Sequence, residues 1–167
     1  TYDEMLEMAS LGSKVLQTRS VELAVNHGVR IQVRSAFSGA PGTFVVNEDE
    51  IVEQQIVSGI SDSKDDAKIT LLRVADRPGV AAGIFGPLAE AAINVDMIVQ
   101  NVSEDGKTDL TFTVGKSDLK AAAGLLKENQ ADIGYEELIS DPDVVKVSVV
   151  GVGMRSHSGV AQKMFQT

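Results

Sequence analysis

Two stretches of this chain carry residue types whose spacing suits a small zwitterion. In Asp76-Arg77-Pro78-Gly79-Val80-Ala81, an acidic side chain precedes a Pro-Gly turn, and an apolar, alanine-rich run follows. Pro78 presets its own φ, and Gly79 leaves the start of the following helix open. The unpaired amides of residues 79–82 then face outward at the positive end of the helix dipole. A carboxylate suits those amides, and Asp76 suits an ammonium group through a charge-assisted hydrogen bond. An α-amino acid carries both charges on one carbon. The second stretch, Met154-Arg155-Ser156-His157-Ser158-Gly159-Val160-Ala161, repeats Gly-Val-Ala after a longer polar loop. Asn94, Asp96 and Gln100 share a strand face by the period of two, and that face fits either the edge of the same pocket or the wet side of a sheet. An Asp-x-Pro-Gly turn also opens ordinary helices, so one such turn does not by itself separate a ligand site from a plain N-terminus.

Catalytic patterns are missing. The sequence has no phosphate-binding Gly-x-x-x-x-Gly-Lys-Ser/Thr, no His-Glu-x-x-His and no Gly-x-Ser-x-Gly. The 2 histidines, His27 and His157, lack metal-ligand spacing, and His27 suits the C-terminal end of a helix dipole. Asp141 and Asp143 flank Pro142 as a solvated turn does. Gly151-Val152-Gly153 opens like a dinucleotide fingerprint, but Ser156 stands where the third glycine belongs. The reading therefore assigns the chain no catalytic residue, metal or cofactor of its own.

With 24 acidic against 15 basic side chains, the net charge is −9, which opposes phosphate backbones and anionic lipid. Aromatic residues make up 4% and tryptophan is absent, which argues against base-stacking platforms. There is no cysteine, hence no disulfide or thiolate chemistry. No run of about 18 apolar residues offers a membrane span. The expectation is a soluble, cytoplasmic chain that binds neither nucleic acid nor membrane.

The elements that must position these residues follow from periodicity. Apolar residues at helical spacing run from Asp3 to Asn26, with Asp3 as cap and Gly28 as stop. Val29 to Arg34 alternates as a strand, and residues 36–53 read as a boundary. Lys68 to Val74 is a strand and Val80 to Ala92 an amphipathic helix. Ile93 to Val102 and Thr108 to Val114 are strands joined at Asp105-Gly106. Ser117-Asp118 caps a helix over Leu119 to Asn129, and Ile133 to Ile139 is a fourth strand. The order βαββαβ predicts an α+β, ferredoxin-like module with both helices on one face of an antiparallel sheet.

An internal repeat adds weight to the turns. Lys146 to Val152 matches Lys68 to Val74 in apolar pattern, Ser158-Gly159-Val160-Ala161 matches Pro78-Gly79-Val80-Ala81, and Met164-Phe165 matches Ile84-Phe85. A second copy of the module is expected from about Val144, containing only its first strand and most of a helix. The divisions expected are residues 1–46, 53–143 and 144–167.

The run Lys68-Ile-Thr-Leu-Leu-Arg-Val-Ala-Asp-Arg-Pro-Gly-Val-Ala resembles the opening of an ACT domain, a small amino-acid-sensing module. Ile93-Asn-Val-Asp-Met-Ile-Val-Gln-Asn-Val-Ser and Thr108-Asp-Leu-Thr-Phe-Thr are similar to the regulatory half of the aspartokinase family. Val145 to Ala161 looks like the start of that family's second ACT domain, and Tyr2 to Leu16 resembles the closing helix of its catalytic domain. The resemblance implies feedback control, by threonine and lysine together, of the phosphorylation of aspartate with Mg-ATP at the entry to lysine, threonine and methionine synthesis. It implies homodimers paired through ACT domains, and a catalytic domain or subunit as partner. By match to the motif, the effector site takes Asp76, Arg77, Pro78, Gly79, Val80, Ala81, Asn94, Val95, Asp96 and Gln100, with Val160 and Ala161. Second-site candidates are Met154, Arg155, Ser156, His157, Ser158 and Gly159, while Ser103 and Thr111 match positions where regulation is sensitive to substitution. The kinase's ATP-binding glycine-rich and lysine motifs are absent, so this chain alone is expected to be inactive. A separate regulatory subunit and the C-terminal part of a full kinase both fit. A purely structural dimerisation module is the alternative reading.

Overall fold

The computed structural model describes residues 1–51, 56–102, 106–151 and 159–166. In chain order its elements are α1 (Tyr2–Ser10), α2 (Thr18–His27), β1 (Ile31–Val33), β2 (Thr43–Val45), β3 (Gly59–Ser63), β4 (Asp66–Ala75), α3 (Val80–Glu90), β5 (Val95–Val102), β6 (Lys107–Gly115), α4 (Leu119–Glu128), α5 (Gln130–Ile133), β7 (Glu137–Asp141), β8 (Lys146–Val150) and α6 (Val160–Phe165). They form two compact units, Lys64–Lys146 and Thr1–Ser63 with Val147–Thr167. Among the described residues, no helix is long and apolar enough to cross a membrane.

The 64–146 unit is the βαββαβ module, with sheet order β5-β6-β4-β7 and every neighbouring pair antiparallel. Alternation decides its faces. Ala67, Ile69 and Leu71 of β4 point inward with Leu110, Phe112 and Val114 of β6, and all are buried. Ile84 and Leu88 of α3 and Ala122 and Leu126 of α4 close over the same side. One core thus places both helices on one face. Phe85 meets Phe112 edge-on, with ring centroids 5.3 Å apart.

Several boundaries differ from expectation for local reasons. The fourth strand begins at Glu137 rather than Ile133, because Ile133 ends α5 and Gly134 reverses the chain at φ 80°. Asp118 precedes α4 but makes no capping hydrogen bond; its carboxylate accepts from the Ser117 hydroxyl instead. Two β-bulges were not legible in the periodicity. One lies between Leu71 and Val74 of β4, where Arg73 has φ 55°, and the other between Asp96 and Val99 of β5, where Met97 has φ 47°.

In the other unit the long helical run is broken, with α1 and α2 separated by residues 11–17 around Gly12 at φ 104°. Thr1, not Asp3, caps α1: its hydroxyl accepts from the Glu4 amide at 3.2 Å. Gly28 closes α2 at φ 60°, as its position predicted. Tyr2, Met5, Val21, Ala24 and Val45 form a small core over the antiparallel pair β1–β2. β3 pairs with β8 and not with the four-stranded sheet. The segment preceding β4, assigned above to the first module, therefore hydrogen-bonds with the chain that follows it. β4 already has a neighbour on each side, so its backbone offers β3 nothing.

Candidate effector site

The first junction is built by the exit of β4. Ala75 is the last residue paired, opposite Lys107, and the Asp76 amide donates to the Gly106 carbonyl at 3.0 Å. Arg77 leaves the loop sideways, its guanidinium donating to the Asp132 carbonyl. The Val80 amide turns back onto the Arg77 carbonyl at 3.3 Å, and Gly83 opens the helical ladder by donating to the Gly79 carbonyl at 3.1 Å. Gly79 stands at the N-cap with φ 88° and ψ −7°, and no side chain caps α3. A Cβ at Gly79 would meet nothing within 4 Å, so glycine is demanded there by conformation and the space above the helix start is open. Asp76, Arg77, Pro78 and Ala81 are exposed, while Val80 packs on the core. The Asp76 carboxylate has no partner among the described residues.

A network of charge that the sequence did not announce holds this end of the sheet. At the β4 bulge the Arg73 amide donates to Asp109 Oδ1 at 2.8 Å, and Arg73 Nε reaches Glu136 Oε1 at 3.1 Å. Lys107 Nζ pairs with the same carboxylate oxygen. The hydrogen bonds from Lys107, and then from Arg73, hold the Glu136 carboxyl below the usual carboxylate range. The signal for this cluster was absent because its members are far apart in sequence and meet only through strand register.

The β5 bulge divides the remaining candidates. Asp96 lies opposite Thr113, but past the bulge Val99 lies opposite Thr111 and Gln100 opposite Leu110. Leu110 points into the helix-covered core, so Gln100 stands on the α3 side of the sheet and Asp96 on the other. The expectation that Asn94, Asp96 and Gln100 share one face is thus corrected for Gln100: one extra residue after Asp96 reverses the alternation. Asn94, just ahead of β5, lines a cleft of about 460 Å³ with Phe85, Ala89, Ile93, Val95 and Ile98. This cleft left no trace in the sequence beyond the small residues Ala89 and Ala92.

Asp96 is engaged by its own chain. Oδ1 accepts from the Met97 amide at 2.8 Å, Oδ2 pairs with Lys146 Nζ, and its carbonyl accepts from the Thr113 hydroxyl at 3.0 Å. The hydrogen bond from Lys146 holds its carboxyl below the usual range. Asp96 also lies far from Asp76. From Lys107, at the Asp76 end, to Thr113, at the Asp96 end, β6 runs six residues, about 20 Å of extended chain. A single amino acid does not span that distance. Within one copy, the structure brings Gln100 toward the junction side and leaves Asp96 apart.

Thr111 sits in the middle of the open face, its hydroxyl 3.0 Å from that of Thr70. Gly159 repeats the geometry of Gly79, with φ 92° and ψ −1° ahead of α6, where Val160 is half-buried and Ala161 exposed. Ser103, Met154, Arg155, Ser156, His157 and Ser158 lie outside the described residues. β5 is an edge strand, and Met97, Ile98 and Val99 on it are exposed.

Comparison with known proteins agrees with this architecture. Residues 68–130 match the ACT domain family. An aspartokinase of Pseudomonas aeruginosa is 52% identical over 99% of this chain, which corresponds to 41% of that protein. The chain thus spans about two fifths of the length of that curated relative. The regulatory subunit of aspartate kinase from Thermus thermophilus, in its ligand-free form, is 43% identical with a TM-score of 0.61, covering 67% of this chain and 74% of that one. A structure of aspartokinase alpha and beta subunits matches at 49% identity and a TM-score of 0.60, over 66% of this chain and 72% of that one. The chain belongs to the aspartokinase family, as its ACT-domain-bearing regulatory part.

Proposed function

We propose that this chain is an amino-acid sensor that sets the activity of an aspartokinase, with threonine or lysine as effector. The observation that carries the reading is the junction at residues 76–81: an open helix start beside an exposed Asp76 carboxylate with no partner among the described residues. The amides at the start of α3 receive the effector carboxylate, and Asp76 receives its ammonium. Gln100 stands on the same side of the sheet.

The site is completed by a second copy. β5 is an edge strand with an exposed apolar run, and two such edges meeting antiparallel about a two-fold axis set the Asn94 end of one copy beside the Gln100 end of the other. That pairing unites residues that one copy keeps about 20 Å apart. The catalytic part, in the cytoplasm, transfers phosphate from Mg-ATP to the β-carboxylate of aspartate, and this chain supplies none of the reacting groups. Effector binding biases that part by preferring one arrangement of the assembly, a coupling of about 1–3 kcal/mol.

Calorimetric titration of the chain with threonine and with lysine tests the proposal, run beside sedimentation with and without each. Saturable heat with a shift in association supports a sensor. Dimers that neither bind nor respond support the second reading, a dimerisation module, which the exposed β5 edge favours.

A further inference from the structure

Lys146 is the last residue of the 64–146 unit, and its side chain is 14% exposed. It lies between two carboxylates on different strands: it pairs with Asp96 Oδ2 on β5 and stands 3.8 Å from Asp66 Oδ2 on β4. Asp66 is itself 15% exposed, and its Oδ2 is buried without a hydrogen-bond partner, so the Lys146 charge is its compensation. On the other side of Asp96 stands the β5 bulge, whose Met97 amide, at φ 47°, donates to Asp96 Oδ1. One carboxylate therefore joins the lysine to the irregular residue. A non-glycine residue rarely adopts that conformation and persists in it where its surroundings hold it.

The bulge decides which face the rest of β5 presents. Without the extra residue, Gln100 would fall on the Asp96 face; with it, Gln100 lies opposite Leu110 on the α3 side. We infer that Lys146 is a positioning residue for effector recognition, clamping Asp96 so that the β5 bulge presents Gln100 on the α3 side of the sheet. Asp96 is thereby fixed in place by Lys146 and the bulge amide, while the Asp76 carboxylate has no partner among the described residues. This inference rests on the effector reading given above.

The test is Lys146→Met in the 167-residue chain, titrated with threonine and with lysine beside the unsubstituted chain, with amide NMR spectra of both. The variant is expected to bind roughly tenfold more weakly, the loss typical when a charged hydrogen-bond partner is withdrawn. The amide signals of residues 96–100 should move while those of α3 and α4 stay. Lys146→Arg, which keeps the charge and can bridge two carboxylates, should recover most of the affinity. Should Lys146→Met fail to fold, Asp96→Asn reads the same contact, since it keeps the oxygen that accepts from Met97 and removes the charge that Lys146 holds. Unchanged affinity in the folded variant, or no recovery with arginine, overturns the role of Lys146 and leaves the effector site standing. An unsubstituted chain that binds neither amino acid overturns both.

Discussion

Gly79 and Gly159 share one backbone conformation, φ 88° and φ 92° with ψ near zero, each as the residue before a helix that begins Val-Ala. Among the described residues, neither helix start has a side-chain cap, and at neither glycine would a Cβ meet an atom within 4 Å. The left-handed conformation alone is what demands glycine at both places, and the internal repeat is thus a repeat of backbone geometry as well as of apolar pattern.

Gly79→Ala should therefore destabilise the chain by about 1–2 kcal/mol, the cost of the left-handed conformation without any steric clash to add. Gly79→Asn should cost less, because asparagine tolerates that region. Urea unfolding checks both, and equal midpoints for the two variants would contradict the conformational argument.

Asp76→Asn leaves packing untouched, since the side chain is exposed and touches no described partner. Its stability should stay within about 0.5 kcal/mol of the parent. Its effector affinity should fall beyond calorimetric detection, because an amide gives the ammonium group no counter-charge. Parent-like affinity in that variant would remove Asp76 from the site.

Phe112 is fully buried at the centre of the module, against Phe85 and the inward residues of β4. Phe112→Ala should cost about 3–5 kcal/mol through lost transfer energy and the cavity left behind. The loss will show as a lower denaturant midpoint with little change in slope.

Glu136 is held below the usual carboxylate range by Lys107 and Arg73 when the chain is folded. The unfolded chain takes up its proton more readily, so this contribution is present above the ordinary glutamate range and is lost as pH falls through the folded value. Melting of the parent and of Glu136→Gln should differ most near neutral pH and converge in acid. High salt should narrow the gap as well, since the pair is exposed. A gap that widens in acid would reverse the assigned sign.

Val99→Lys places a charge on the exposed edge of β5. If that edge joins two copies, the variant should sediment as a monomer at concentrations where the parent associates, and effector affinity should fall with it. A monomeric variant that still binds at full strength would show that one copy holds the whole site.

The order of strands and helices in the 64–146 unit was legible because each element is long and strongly periodic, and because Asp105-Gly106 and Pro78-Gly79 mark its turns. Gly79 and Gly159 were legible too, since a glycine after a strand and before an Ala-rich run has few other uses. Period two predicts faces only while a strand is regular, however, and one residue in an unfavoured conformation at Met97 reverses every face after it. The pairing of β3 with β8 was hidden for a related reason: backbone hydrogen bonds carry no side-chain signature. Sequence by itself determined the module, its family and the junction at Asp76. Tertiary structure alone decided that Gln100 turns toward α3, that Asp96 is given to Lys146, and that Arg73, Lys107 and Glu136 meet, because those relations depend on register and on charges brought together across strands.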